Sequence, residues 1–118
     1  MELRGLRVLI LAQCLFVAGM GTAEAQSTTY QILGAGTDSC GRWVSSANDG
    51  ALHVAYMSWV LGYLSAFNMA KSAHSGQDSL FNQTDVQSLD LWVSNYCNAH
   101  PLKNLSDAAL ELAIEVTK

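Results

Sequence analysis

The sequence predicts a small all-α domain: a four-helix, bundle-like unit with a long buried central helix and one disulfide. Three observations predict it. Proline occurs once, at Pro101, and apolar–polar alternation is scarce, which favours helices over strands. Residues 50–70 carry no formally charged side chain, enough chain for a long apolar helix. Cys40 and Cys97 lie far apart in sequence and are placed to staple a domain whose core is only just large enough to fold.

The elements follow in chain order. Arg4 and Arg7 precede an apolar run over residues 8–20, and Ala23-Glu24-Ala25 offers small residues where a signal peptidase reads. The first 25 residues therefore read as a signal peptide and residues 26–118 as a single helical domain. Cys14 reads as a small apolar filler of that signal. The alternative, a lipoprotein cysteine, is opposed by Gln13, which stands where a small residue is wanted. Removal of the signal leaves four basic and eight acidic side chains, and with them no basic patch for nucleic acid or anionic lipid. An exported chain with two cysteines most simply pairs them; a free reactive thiol is the other reading.

Residues 30–36 are punctuated by glycine and read as extended or irregular. Asp38 or Ser39 can cap a brief helix through Cys40, Trp43 and Val44. The long helix runs from about residue 49 to 71, and the polar connection over residues 72–83 follows it. Thr84-Asp85-Val86-Gln87 matches a capping box and opens a third helix, on which Val86, Leu89, Val93, Tyr96 or Cys97, and His100 recur at helical spacing. Pro101 stops that helix. Ser106 can cap a fourth, with Leu105, Ala109, Leu112 and Val116 as its apolar stripe.

The uncharged run is long enough, at about 30 Å for twenty helical residues, to cross a bilayer. His53, Ser58, Ser65 and Asn68 make it a poor span, and a span would separate Cys40 from Cys97. The reading adopted is a bundle helix with no membrane span. On it Ala51, Ala55, Ser58, Gly62 and Ala66 form a small-residue stripe that would admit a neighbouring helix closely. Beside that stripe runs another of Leu52, Tyr56, Trp59, Tyr63 and Phe67. Trp43, Trp59, Gly62, Tyr63, Phe67, Trp92 and Tyr96 are the expected structural core.

The sequence offers little chemistry. His53, His74 and His100 lack the paired spacing of metal ligands, and no nucleophile-elbow, phosphate-loop or dinucleotide motif occurs. No catalytic residue, metal or cofactor is expected. Asp107, Glu111 and Glu115 read as a solvated acidic face. The connection His74-Ser75-Gly76-Gln77-Asp78-Ser79-Leu80-Phe81-Asn82 carries two large apolar residues. They either close the end of the core or, with Asp78, offer Leu80 and Phe81 to a protein partner.

Cys40-Gly41-Arg42-Trp43, the central Trp59-Val60-Leu61-Gly62-Tyr63-Leu64-Ser65-Ala66-Phe67-Asn68, then Trp92, Tyr96-Cys97 and Pro101-Leu102 before Ala108-Ala109 resemble the small exported Rap/Tai-type immunity proteins. They resemble the Hde-type acid-stress chaperones of the bacterial periplasm more distantly. The resemblance implies a periplasmic, non-catalytic helical domain with a Cys40–Cys97 disulfide. It implies a protein partner as well, in the immunity group a peptidoglycan amidase delivered by a type VI secretion system. The chaperone likeness implies exposure of apolar helices in acid, and a homodimer is compatible with either.

Overall fold

The computed structural model describes residues 29–76, 81 and 84–118. The signal-peptide reading, Cys14, Asp78 and Leu80 lie outside these residues. Four α-helices are described: α1 (Cys40–Ser46), α2 (Gly50–Ser75), α3 (Val86–Ala99) and α4 (Leu105–Glu115), preceded by a 3-10 turn at Gly34–Thr37. Among the described residues there is no strand, only an isolated antiparallel bridge between Ser39 and Asn104. No described helix is long and apolar enough to cross a membrane.

Each helix starts where a short polar side chain satisfies a backbone donor. Ser39 Oγ accepts from Arg42 N (3.3 Å), Asp49 Oδ1 from Leu52 N (3.1 Å) and Asp85 Oδ1 from Ser88 N (2.7 Å). Bonds from Ser88 hold the Asp85 carboxyl below its ordinary value. The expected cap at Thr84 is thus displaced by one residue, because Asp85 is the better-placed acceptor when Leu89, Val93 and Cys97 face inward. At α4 the expected Ser106 cap is replaced by Asn104, whose N–H donates to Asp107 Oδ2 (2.9 Å). Gly76 ends α2 with φ 63°, and its N–H returns to Ser72 O (2.9 Å). That left-handed stop favours glycine.

The core centres on α1. Cys40 and Trp43 are buried against Tyr56, Met57, Val60 and Leu64 of α2, Leu89, Val93 and Cys97 of α3, and Leu105, Ala108, Leu112 and Ala113 of α4. Cys40 and Cys97 are bonded, their Cα atoms 4.7 Å apart. Trp59, Tyr63, Phe67, Phe81, Trp92 and Tyr96 are partly buried and pack around this centre. Phe81 therefore contributes to closing the core.

Gly62 is a correction. The burial of α2 is one-sided, and the stripe of Ala51, Ala55, Ser58, Gly62 and Ala66 faces outward. A Cβ built on Gly62 meets nothing within 4 Å. Tyr56, Met57, Val60 and Leu64 occupy the opposite side, and they carry far more apolar surface to remove from water. The small residues that let helices approach are instead Ala108, Ala109 and Ala113 of α4, each 0% exposed. An exposed glycine within a helix costs about 1 kcal/mol relative to alanine, and nothing in the protomer offsets that cost.

Gly36 shows the reverse situation. It is buried, and a Cβ there would overlap the Trp59 indole and Ile32 Cγ2. Trp59 is fixed from the other direction by its Nε1 donating to Leu33 O (2.8 Å). Gly36→Ala should therefore overpack the site and lower stability by about 1–3 kcal/mol in urea unfolding; an unchanged midpoint would refute the close packing. Replacing both Cys40 and Cys97 by Ala should lower stability by roughly 2–5 kcal/mol, read in the same experiment.

Candidate functional site

The connection from α3 to α4 is exposed throughout residues 100–104. Pro101 cannot extend α3, so His100 becomes its C-cap, with its N–H on Tyr96 O (2.9 Å). The chain then crosses over α1 and is clamped at successive points. Gly41 N donates to Pro101 O (3.0 Å), Cys40 N to Lys103 O (2.7 Å), Lys103 N to His100 O (3.0 Å) and Leu105 N to Asp38 O (2.9 Å). The Cys40–Cys97 disulfide lies just below.

At the outer tip of this rigid loop Leu102 is 96% exposed. Ala99, His100, Pro101, Leu102 and Lys103 line a shallow cleft of about 500 Å³. The His100 ring is supported by Tyr96 at 4.6 Å, and Tyr96 stacks on Trp92 at 5.6 Å. Burial raises the Tyr96 hydroxyl above its ordinary value, with further contributions from Glu111 and Asp107. Lys103 has no carboxylate partner among the described residues. An apolar tip beside an unpaired cation can be received by an apolar pocket with a carboxylate rim.

A second cluster joins three helices. His53 Nδ1 lies 2.9 Å from Ser46 Oγ, and His53 Nε2 lies 2.9 Å from Asp90 Oδ2. Ser94 Oγ donates to Asp90 Oδ1 (3.2 Å) and accepts from Trp43 Nε1 (3.0 Å). Serine, histidine and aspartate are the residue types of a hydrolytic triad, but this geometry is not one that attacks a substrate. Ser46 is 1% exposed and donates its proton to Trp43 O (2.6 Å). The adjoining cleft of about 140 Å³ is lined by Trp43, Val44, Ala47, His53, Ser94 and Asn98, and Ser46 is not among its walls. The cluster satisfies the indole N–H and ties α1 to α2 and α3.

A third feature is an apolar groove of about 500 Å³ on α2, lined by Gln31, Ile32, Leu33, Trp59, Gly62 and Tyr63. The Trp59 and Tyr63 rings stack at 5.5 Å to form its wall. Burial, and then Tyr30, raise the Tyr63 hydroxyl above its ordinary value.

Of the residues singled out in the sequence, Cys40, Cys97 and Trp43 are brought together at the centre, while Trp59, Tyr63, Phe67, Trp92 and Tyr96 surround it. His53 is bonded through both ring nitrogens, and His74 is exposed. Sequence reasoning missed Leu102, although an isolated leucine directly after a helix-stopping proline was a visible signal. It also missed Asp90, whose contact with His53 spans 37 residues and has no signature in spacing, and Ser94, which joins Asp90 to the Trp43 indole. Comparison of the chain with protein-family models, with curated proteins and with solved structures returned no match.

Two outcomes follow from the polar contacts. Asp90→Ala leaves His53 and Ser94 without their acceptor and should lower stability by about 1–3 kcal/mol, measured by urea unfolding; an unchanged midpoint would show the cluster to be incidental. On the alkaline side, burial first and the hydrogen bond to Asp38 (2.9 Å) second raise Tyr56 above its ordinary 10.0. A raised folded value means that its stabilisation is complete below the unfolded value and is lost as pH rises through the folded one. Thermal midpoints should fall above about pH 10, and Tyr56→Phe should flatten that fall.

Proposed function

We propose that this domain is a non-catalytic, exported protein-binding module, an inhibitor of the immunity type that docks the His100-to-Lys103 loop into a cleft of a cell-wall amidase. The observation that carries the reading is the loop itself: a fully projecting Leu102 on backbone clamped to α1 beside the disulfide. A loop that is already rigid loses little conformational freedom on binding, so more of its contact energy remains as affinity. Pro101 and Leu102 supply apolar contact, and Lys103 supplies a charge that steers encounter with an acidic rim. The choice of an amidase, and of the periplasm, rests on the resemblance of the Cys40-to-Ala109 motifs to the Rap/Tai-type proteins.

The test is binding and inhibition of a purified cell-wall amidase of the class delivered by type VI secretion, with the signal-free protein purified in its disulfide form. Wild type should bind it and suppress peptidoglycan hydrolysis. Leu102→Asp should change stability by less than about 0.5 kcal/mol, while weakening the complex by roughly 30-fold, the equivalent of about 2 kcal/mol. Absence of binding by wild type would overturn the reading.

An acid-stress chaperone is the second reading, supported by the carboxylates that hold the helices. Asp85 caps α3, Asp38 accepts from Tyr56, and Asp90 accepts from Ser94. Bonds from Ser88 hold the Asp85 carboxyl below its ordinary value, so acid strong enough to protonate it would weaken the start of α3. Suppression of client aggregation near pH 3, together with no effect on the amidase, would favour it.

A further inference from the structure

We propose that His53 is a proton-operated latch: it holds the C-terminal end of α1 against α2 and α3 only while both of its ring nitrogens are protonated. The latch is separate from the α3–α4 loop, and the inference does not depend on the inhibitor reading.

The two protons follow from the hydrogen-bond inventory. Ser46 has a single hydroxyl proton, and its Oγ lies 2.6 Å from Trp43 O. Two oxygens at that separation repel unless a proton lies between them, so the Ser46 proton is committed to the Trp43 carbonyl. Towards His53 Nδ1, at 2.9 Å, Ser46 Oγ then offers only lone pairs, and Nδ1 must donate. On the other side of the ring Nε2 lies 2.9 Å from Asp90 Oδ2. Asp90 Oδ1 already accepts from Ser94 Oγ (3.2 Å), and an ionised carboxylate can only accept. Nε2 must therefore donate as well. A ring with two N–H donors is an imidazolium, here paired with Asp90 and set against the Trp43 indole at 4.6 Å, a contact that favours a cation.

The other charged groups of these elements are engaged elsewhere. Arg42, the one formally charged residue of α1, lies 3.6 Å from Asp38, which also accepts from Tyr56. Asp49 caps α2 on Leu52 N, and Asp85 caps α3 on Ser88 N. Lys71 and His74 stand near the far end of α2. Asp90 is the one formally charged residue within α3, and it is the ionic partner of His53 among the described residues. The cleft of about 140 Å³ beside His53, Ser94 and Asn98 gives water a route to the ring, so the proton can leave without unfolding.

Once the second proton leaves, a ring lone pair faces either Ser46 Oγ or the Asp90 carboxylate, and one of the two contacts is lost. The opposite end of α1 does not respond, because Cys40 is bonded to Cys97. Release therefore frees the Ser46 end and widens the cleft while the domain stays folded. A proton held more tightly in the folded chain than in the unfolded one contributes stability that is present at low pH and lost as pH rises. That sense is opposite to the acid weakening at Asp85.

Long-range proton–nitrogen NMR spectra of the histidine rings in the signal-free, disulfide-bonded protein, paired with urea unfolding, test the inference. At about pH 7.5, roughly one unit above the ordinary histidine value, wild-type His53 should show two protonated ring nitrogens. Asp90→Asn can keep every contact without the charge: its carboxamide oxygen accepts from Ser94, and its amide group donates to His53 Nε2. That variant should keep the wild-type circular dichroism spectrum and hold His53 as the neutral Nδ1–H tautomer. The wild-type urea midpoint should fall as pH rises from about 6.5 to about 9, below the range in which Tyr56 acts, and Asp90→Asn should lose most of that fall. A neutral His53 ring in the wild type at about pH 7.5 overturns the inference whether or not the variant folds. Wild-type and Asp90→Asn midpoints that run parallel with pH overturn it too.

Discussion

The domain depends on the burial of one short helix. α1 has seven residues, too few to be stable alone in water, yet it supplies Trp43 and Cys40, which are 1% and 0% exposed. Trp43 gives the three longer helices a common surface to pack against. Its indole N–H would be a liability in that position without an acceptor. Ser94 removes the liability, and Asp90 and His53 orient Ser94 in turn. The covalent bond to Cys97 and the backbone clamps to residues 101 and 103 hold α1 in register with α3. The same constraints that bury Trp43 therefore set the position of the projecting loop.

The division of α2 into two unlike sides follows from competition for a small interior. A domain of this size cannot surround a 26-residue helix, so one side must remain in water. The larger residues, Tyr56, Met57, Val60 and Leu64, win the interior because they carry the greater hydrophobic gain. α4 buries Ala108, Ala109 and Ala113 alongside Leu105 and Leu112, and the three alanines add little bulk to the side it buries. Small residues mark a buried side on α4 and an open face on α2, so their meaning is set by what lies opposite.

The helices, the pairing of Cys40 with Cys97 and the central place of Trp43 were legible in the sequence. Each is encoded locally, in periodicity, capping residues and a count of thiols. Cap positions were less legible: Thr84 and Asp85 are both good caps, and only the inward facing of Leu89, Val93 and Cys97 decides between them. Gly62 was misread because a small stripe on a helical wheel does not say which side will find a neighbour. The His53, Asp90 and Ser94 cluster was illegible, since its members come from different helices and meet only after folding. Leu102 could have been noticed, but its prominence depends on how residues 100–104 cross α1.

That crossing has a consequence for the order in which the chain can acquire structure. The groups that hold α1 in place, Cys97, the carbonyls of Pro101 and Lys103, and the amide of Leu105, all lie near the end of the polypeptide. A chain delivered from its N-terminus exposes Trp43 and the thiol of Cys40 long before their partners arrive, and contacts of such wide sequence separation form slowly. The molecule therefore stays open until almost all of it has emerged. Within residues 26–118 Cys40 has one thiol to meet, so late closure carries no risk of wrong pairing within the chain.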